Sequence, residues 1–511
     1  MYRNLLPFII LPLILVESIL AQEHHYIKVQ DTHFILEGKP YYFLGTNLWY
    51  GCYLGSTGRT GDRGRLIREL DRLKEIGVNN LRILGASESS SIQASIKPAI
   101  QISPGVYDDS LLIGLDFLLA EMSKRDMHAV IFLNNFWTWS GGMSQYQNWF
   151  SGSATTFYRN IEANIALKQY IRNLIQRKNT ITGLHYYEDP AIMAWQLANE
   201  PRPFSSYDEF YNWIDSTAQF IHSIDPNHLV TTGSEGLIGC NINPTVFLTA
   251  HQNPSIDYAT FHLWAYNWNW YNPSGSNFSS ALANARTYIQ YHIAYAQQLN
   301  KPITMEEFGL PRDNKAFGPT STTTFRDQYF DTLLKLIYDS ASIGAPIAGS
   351  NYWGWGGEAR SPNGDYIWRV GDPFMCDPPM EEQGLNSVYD TDTSTIFILK
   401  KYSTLMKSLR VTGVVSNNAK VYDFELYQNY PNPFNPETKI EFQIHKVWAQ
   451  NFVSLRVYDL LGREVAVLVN EEKQAGRYSL SWDATNYPSG IYCYRLSYNG
   501  LSVAKIAVLI K

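Results

Sequence analysis

Between residues 41 and 352 the chain repeats one pattern eight times: a short, unbroken apolar run, then a stretch with helical spacing or a long loop. The runs are 42–44, 78–84, 129–133, 192–198, 229–232, 258–261, 303–305 and 347–352. Parallel strands buried on both faces read as continuous apolar runs, because neither face needs polar residues. Strand and helix alternating over this length point to an α/β barrel or a doubly wound sheet. Leu66, Leu70 and Leu73 mark one helix face, with Gly77 where a C-cap belongs. Further helices are expected over 111–122, 210–221, 281–299 and 325–342. No glycine-rich phosphate loop follows the first run, which counts against a dinucleotide fold. Ahead of the repeat, 26–39 reads as a hairpin turning at Glu37-Gly38.

The two ends have a different texture. Arg3, the apolar run 5–16 and Ala21 read as a cleaved export signal over 1–21; the run is shorter than the ~20 residues a spanning helix needs. No other segment reads as a membrane span. Near residue 414 the alternation stops. A polar linker, 414–420, leads into a proline- and asparagine-rich segment and then short alternating strands at 439–444, 453–458, 478–482 and 491–497. That is the pattern of a small all-β sandwich over 421–511. With 511 residues, the chain has room for a barrel of about 250 residues or more as well as this module.

Composition narrows the function. The net charge of -6, from 41 basic and 47 acidic residues, gives no basic footprint for nucleic acid. The 14 Trp and 35 Tyr supply flat apolar faces beside hydrogen-bonding groups, which suit sugar rings or a large aromatic core. Four scattered cysteines make neither a disulfide scaffold nor a zinc motif. They read as buried thiols, with Cys52–Cys376 as the one conceivable bridge.

Two strand ends carry the chemistry. The run ending Trp195-Gln196-Leu197-Ala198 leads into Asn199-Glu200-Pro201, and proline stops the strand there. The run Ile303-Thr304-Met305 leads into Glu306-Glu307-Phe308-Gly309. In a barrel both sets stand at the C-terminal rim, where active sites lie. Two carboxyls facing each other are what glycoside hydrolysis needs, one to protonate the leaving oxygen and one to attack the anomeric carbon. The acid needs a raised pKa to keep its proton near neutral pH. Singly, either residue reads as a helix cap or an arginine partner; the matching contexts favour catalysis. Strand alternation predicts that only one of Glu306 and Glu307 points inward.

Asn-Glu-Pro after an apolar strand, with Glu-Phe-Gly later, resembles glycoside hydrolase family 5 over about residues 25–410. Gly45-Thr46-Asn47, Asn80-Leu81-Arg82, Gly233-Ser234-Glu235-Gly236, His262-Leu263-Trp264 and Trp353 are similar to its β-mannanase branch. The resemblance implies a (β/α)8 TIM barrel over 22–413, Glu200 as acid/base and Glu307, directly before Phe-Gly, as nucleophile. It implies that Asn199 binds the 2-hydroxyl of the reacting sugar and that Arg82 keeps the nucleophile ionised. His262 is expected beside that sugar and Trp353 beneath it, with Asn47 also at the substrate site. Structural alternatives are an ion pair for Arg82, a satisfied barrel-end histidine for His262 and core for Trp353. Trp264 departs from the tyrosine many members carry there, which leaves open how the nucleophile is hydrogen-bonded. The loop holding Trp137, Trp139, Tyr146 and Trp149 reads either as sugar subsites or as packing. No cofactor or metal is implied.

The module at 421–511 resembles the sorting domain of the type IX secretion system, through Tyr-Pro-Asn-Pro-Phe-Asn-Pro, Asp459-Leu460-Leu461-Gly462-Arg463 and its basic-apolar ending. Sorting implies a secretion-machinery partner and removal of the module; a carbohydrate-binding module, with Trp482 as a stacking platform, would be retained. The resulting expectation is a secreted retaining endo-β-1,4-mannanase. Another β-glycanase or an exo-mannosidase of the same family is the alternative within that chemistry. A non-catalytic polysaccharide-binding surface protein is the alternative outside it, and it would lack one of the two carboxyls.

Overall fold

The computed structural model describes residues 26–409 except 93 and 205, and 424–511 except 446–451, 460–462 and 499–500. The expected export signal and linker lie outside the described residues. The described residues form two units.

In the first unit eight parallel strands form one sheet: β1 (Phe43–Asn47), β2 (Asn80–Leu84), β3 (His128–Phe132), β4 (Ile192–Gln196), β5 (Leu229–Thr231), β6 (Ala259–Leu263), β7 (Ile303–Phe308) and β8 (Ile347–Tyr352). Their order is β6-β7-β8-β1-β2-β3-β4-β5, every neighbour parallel. A parallel bridge between Thr231 and Tyr258, with Asp257 N–H donating to the Val230 carbonyl at 2.8 Å, joins β5 to the entry of β6 and closes the sheet on itself. The fold is therefore a (β/α)8 barrel. A helix follows each strand: α1 (Arg63–Ile76), α2 (Asp109–Ser123), α3 (Ile161–Ile175), α4 (Tyr207–Ile224), α5 (Pro244–Gln252), α6 (Phe278–Leu299), α7 (Thr324–Ser342) and α8 (Thr393–Ser408).

The strands are buried on both faces, by the barrel interior and the helix layer, so they are mainly apolar, with their polar residues gathered toward the interior. Local signals set the boundaries. Asp62 caps α1 by accepting from Arg65 N–H, and Gly77 ends it at φ 93°, a left-handed conformation that glycine adopts without a Cβ penalty. The expected hairpin is present, turning at Glu37 and Gly38 with φ of 51° and 71°. A further strand, Lys28–Gln30, makes it a three-stranded meander. The Cys52–Cys376 bridge is absent. Both thiols are free and buried, and Cys376 Sγ lies beside Gly354.

The second unit is an antiparallel sandwich. One sheet has β9 (Phe424–Leu426), β10 (Glu437–Ile444) and β13 (Gly476–Asp483); the other has β11 (Phe452–Asp459), β12 (Glu464–Glu472), β14 (Gly490–Tyr498) and β15 (Leu501–Leu509). Inward residues of both sheets, among them Phe442, Leu455, Trp482 and Tyr494, make its core. Trp482 is 2% exposed, so it is packing and not a stacking platform.

Candidate active site

Regular pairing of β4 ends at Gln196, yet the next four residues remain tied to their neighbours. Leu197 and Ala198 N–H donate to Thr231 and Thr232 carbonyls, and Glu200 N–H to the Gly233 carbonyl at 2.9 Å. Glu200 itself has φ 49°, a left-handed conformation that costs a non-glycine residue energy and is held by these bonds. Its carboxyl is thus fixed at the rim. Across the rim, Glu307 stands on β7 opposite His262 of β6. An oxygen of Glu200, one of Glu307 and a ring nitrogen of His262 all lie within 4.8 Å of one another.

Each carboxyl has its own partners. Glu307 accepts from Arg82 Nη1, and from Trp264 Nε1 at 3.1 Å. At the Trp264 departure, the indole N–H supplies a donor to Glu307. Glu200 accepts from Trp137 Nε1 and lies 2.6 Å from His262 Nδ1, which is also 3.3 Å from Glu307. Burial lowers the His262 pKa to about 4, so the ring is neutral, and its Nε2 has no protein partner.

Arg82 is 0% exposed, and beyond Glu307 it donates to Asn199 Oδ1 at 2.6 Å, Gln196 Oε1 at 2.9 Å and Asn47 Oδ1 at 3.1 Å. Asn199 is fixed from its other side by donating to Asn135 Oδ1 at 3.1 Å. Asn47 is a correction: its amide donates to the Glu306 and Tyr352 carbonyls behind the rim, so it braces Arg82 and does not line the cavity. Glu306 is a second correction. Both neighbours face the barrel interior: Glu306 accepts from Gln196 Nε2 and lies 3.7 Å from Arg82 Nε. The register between β6 and β7 slips by one residue, pairing Phe261 with Met305 but His262 with Glu307, so simple alternation fails there.

The electrostatics belong to the pair. Burial works to raise both carboxyls, and the Glu200 charge raises Glu307 further. For Glu307 burial outweighs Arg82, carrying its pKa well above the ordinary range. Burial likewise works to raise Glu200, but the His262 hydrogen bond and the Arg202 charge draw it below the ordinary value. Glu307 is thus the member of the pair that holds a proton more strongly. The expectation of a raised acid is not met at Glu200, whose local donors draw it down; the raised carboxyl is Glu307.

The cavity over the pair has a volume of about 380 Å³. Asn199, Trp137, Trp139, Trp264 and Trp353 stand in its wall, and Trp353 meets Trp264 edge-on at 6.0 Å. The aromatic loop divides its work: Trp137 and Trp139 face the cavity, whereas Tyr146 is buried on Gln101 and Trp149 packs on Tyr146. Glu200, His262 and Glu307 are the described residues close enough to share a metal ion. Arg82 and two indole N–H groups already aim donors at the carboxyls, a set that favours anionic oxygens without a cation.

Arg202, Met380 and Glu381 are among the wall residues that escaped the sequence reading. Arg202 pairs with Glu235 and lies 4.9 Å over the Trp137 ring, and its place two residues after Glu200 was the available signal. Glu381 and Met380 come from the long loop after β8, where no periodicity marks them. Glu381 is raised to about 8, by burial and then by Asp377, and its Oε2 has no partner. Asp377 organises that loop, accepting from Gly384 and Asn386 N–H at 2.8 Å and from Ser387 Oγ at 2.6 Å.

Comparison with known proteins agrees with this geometry. Residues 24–410 match the family described as GH family 5 beta-mannosidase-like, and 428–510 match the secretion system C-terminal sorting domain. The mannan endo-1,4-beta-mannosidase 1 of Oryza sativa subsp. japonica is 31% identical over 64% of this chain and 78% of its own length. The mannan endo-1,4-beta-mannosidase 4 of Solanum lycopersicum is 31% identical over 65% of this chain and 83% of its own. The crystal structure of a glycoside hydrolase family 5 mannosidase from Rhizomucor miehei is 34% identical with a TM-score of 0.70, covering 76% of this chain and 99% of that one.

Proposed function

The chain belongs to the β-mannosidase-like glycoside hydrolases of family 5, and on that premise we propose that it is an endo-acting β-1,4-mannanase cleaving mannan or glucomannan with retention. The observation that carries the reading is the spacing of Glu200 and Glu307, whose carboxyl oxygens approach within 4.8 Å. Retaining enzymes hold their carboxyls about 5–5.5 Å apart, whereas inverting enzymes leave about 6.5–9.5 Å for a water.

In the proposed sequence Glu307 attacks the anomeric carbon while Glu200 gives the pair's proton to the departing oxygen. The glycosyl ester on Glu307 is then hydrolysed by a water that Glu200 deprotonates. Asn199 takes the 2-hydroxyl, the free His262 Nε2 meets a sugar hydroxyl, and Trp353 lies under the ring. Arg82 and Trp264 oppose the rise that burial imposes on Glu307 and stabilise its anion as it attacks. The names of the plant relatives support mannan as substrate. For location, we propose that 1–21 is a cleaved export signal and 421–511 a sorting module handed to the secretion machinery, on a secreted or cell-surface enzyme; the family match at 428–510 supports this. No described helix is long and apolar enough to cross a membrane.

The test is hydrolysis of mannan, glucomannan and carboxymethyl cellulose beside Glu307→Gln, with the product anomer read by proton NMR before mutarotation. Retained configuration on mannan, abolished in the variant, is expected. Full activity of the variant, or inversion, would refute the assignment. A second reading, exo-acting β-mannosidase, is favoured by Met380 and Glu381 standing in the cavity wall. Mannose as sole product without loss of mannan viscosity would select it.

A further inference from the structure

A second cavity, of about 420 Å³, lies among Leu54, Arg59, Asp62, Arg65, Lys97 and the segment 358–374, and shares no wall residue with the catalytic one. Its acids are already occupied. Asp62 caps α1, Glu358 is held by Arg68 at 2.5 Å and Arg72 at 2.8 Å, and Asp372 accepts from Asn363 Nδ2 and Arg369 N–H. Of its cations, Arg360 pairs with Asp390 and Arg65 with Glu69, whereas two are left. Among the described residues neither Arg59 nor Lys97 makes an ion pair. Arg65 is only 6% exposed, its Nε is used on Glu69, and its Nη2 is buried with no partner. A buried guanidinium nitrogen left unpaired costs free energy unless something supplies an acceptor. Beside these cations stand apolar walls, Val370 at 53% exposure, Pro373 and Phe374.

We infer that this cavity is a binding site for a sugar acid of the hexuronate class, its carboxylate taken by Arg59, Lys97 and Arg65 Nη2 and its ring lying on Val370 and Pro373. Guanidinium and ammonium groups without an acid partner select an oxyanion. The apolar wall and the volume select a ring-bearing ligand over a bare ion. The site does not rest on the catalytic reading, because its residues take no part in the carboxyl pair.

The probes are glucuronic acid, glucose and inorganic phosphate, titrated calorimetrically into the full-length protein at low salt and again at 0.3 M salt. Variants are Arg59→Gln/Lys97→Gln together, and Glu307→Gln alone. Saturable glucuronate binding is expected, tighter than glucose or phosphate and weakened by salt. Losing two charge-assisted contacts lowers affinity by about tenfold or more in the double variant, while Glu307→Gln leaves it unchanged. Arg59 is exposed and Lys97 half-buried, so an unshifted melting temperature is expected to accompany the loss. Phosphate binding as tightly as glucuronate would overturn the sugar assignment. Equal binding of glucose, no saturable binding, or affinity that survives the double substitution or fails in Glu307→Gln would overturn the site.

Discussion

Arg82→Met is the substitution that bears on both stability and chemistry. The guanidinium is fully buried and holds Glu307, Asn199, Gln196 and Asn47 at once, with Glu306 3.7 Å from its Nε. Removing one partner of a buried ion pair costs about 3–5 kcal/mol, because the remaining charge is left uncompensated. Unfolding entropy of about 2.1 cal/mol/K per residue gives about 0.8 kcal/mol/K for a unit spanning 24–410, so melting should fall by about 4–6 °C. The same change removes the cation that opposes burial at Glu307. Its pKa then rises further, the anion needed for attack forms only at higher pH, and the acid limb of kcat/KM moves upward. Arg82→Lys keeps the charge but loses the fork, so it should recover much of the pH profile and less of the stability. Calorimetric melting and pH profiles of kcat/KM on mannan read the two effects separately. A drop of less than 1 °C with an unmoved acid limb would refute the reasoning. A full drop with an unmoved limb would make Arg82 a brace only.

Trp264→Phe keeps the ring and removes the N–H aimed at Glu307, so the acid limb of kcat/KM should again move to higher pH with little change in melting. Glu200→Gln should remove the alkaline limb, since that limb marks loss of the pair's proton; with an activated aryl leaving group, which needs no acid, formation of the glycosyl ester should stay near the parent rate. Asp377→Asn leaves at least one of its three donors without an acceptor, for a cost of about 1–3 kcal/mol and faster proteolytic nicking of the loop after β8.

What was legible in the sequence follows from where the signal is strong. Gly77, the apolar runs and the two carboxyl motifs each reflect one local constraint, and each stands where the pattern put it. Helix α3 gave a poorer pattern because Ile161 and Ile165 point outward, at 75% and 64% exposure, which blurs its amphipathic face. Strand β12 is mostly exposed, so it carries little alternation to read. The inward turn of Glu306 depends on a register slip between two strands, and the Trp264 N–H on the placement of a ring across the rim. Glu381 reaches the cavity on a loop shaped by Asp377. Such tertiary relations leave no period in the chain.

The central claim is that Glu307 carries the sugar between two displacements. A 2-fluoro-mannosyl fluoride slows the second step and traps the ester, so digestion and mass spectrometry of the inactivated enzyme identify the attacked residue. One fluoromannosyl group on Glu307, absent in Glu307→Gln, is the predicted result. A label on Glu306 or Glu200 would contradict the account, as would turnover of mannan to product of opposite configuration with no adduct formed.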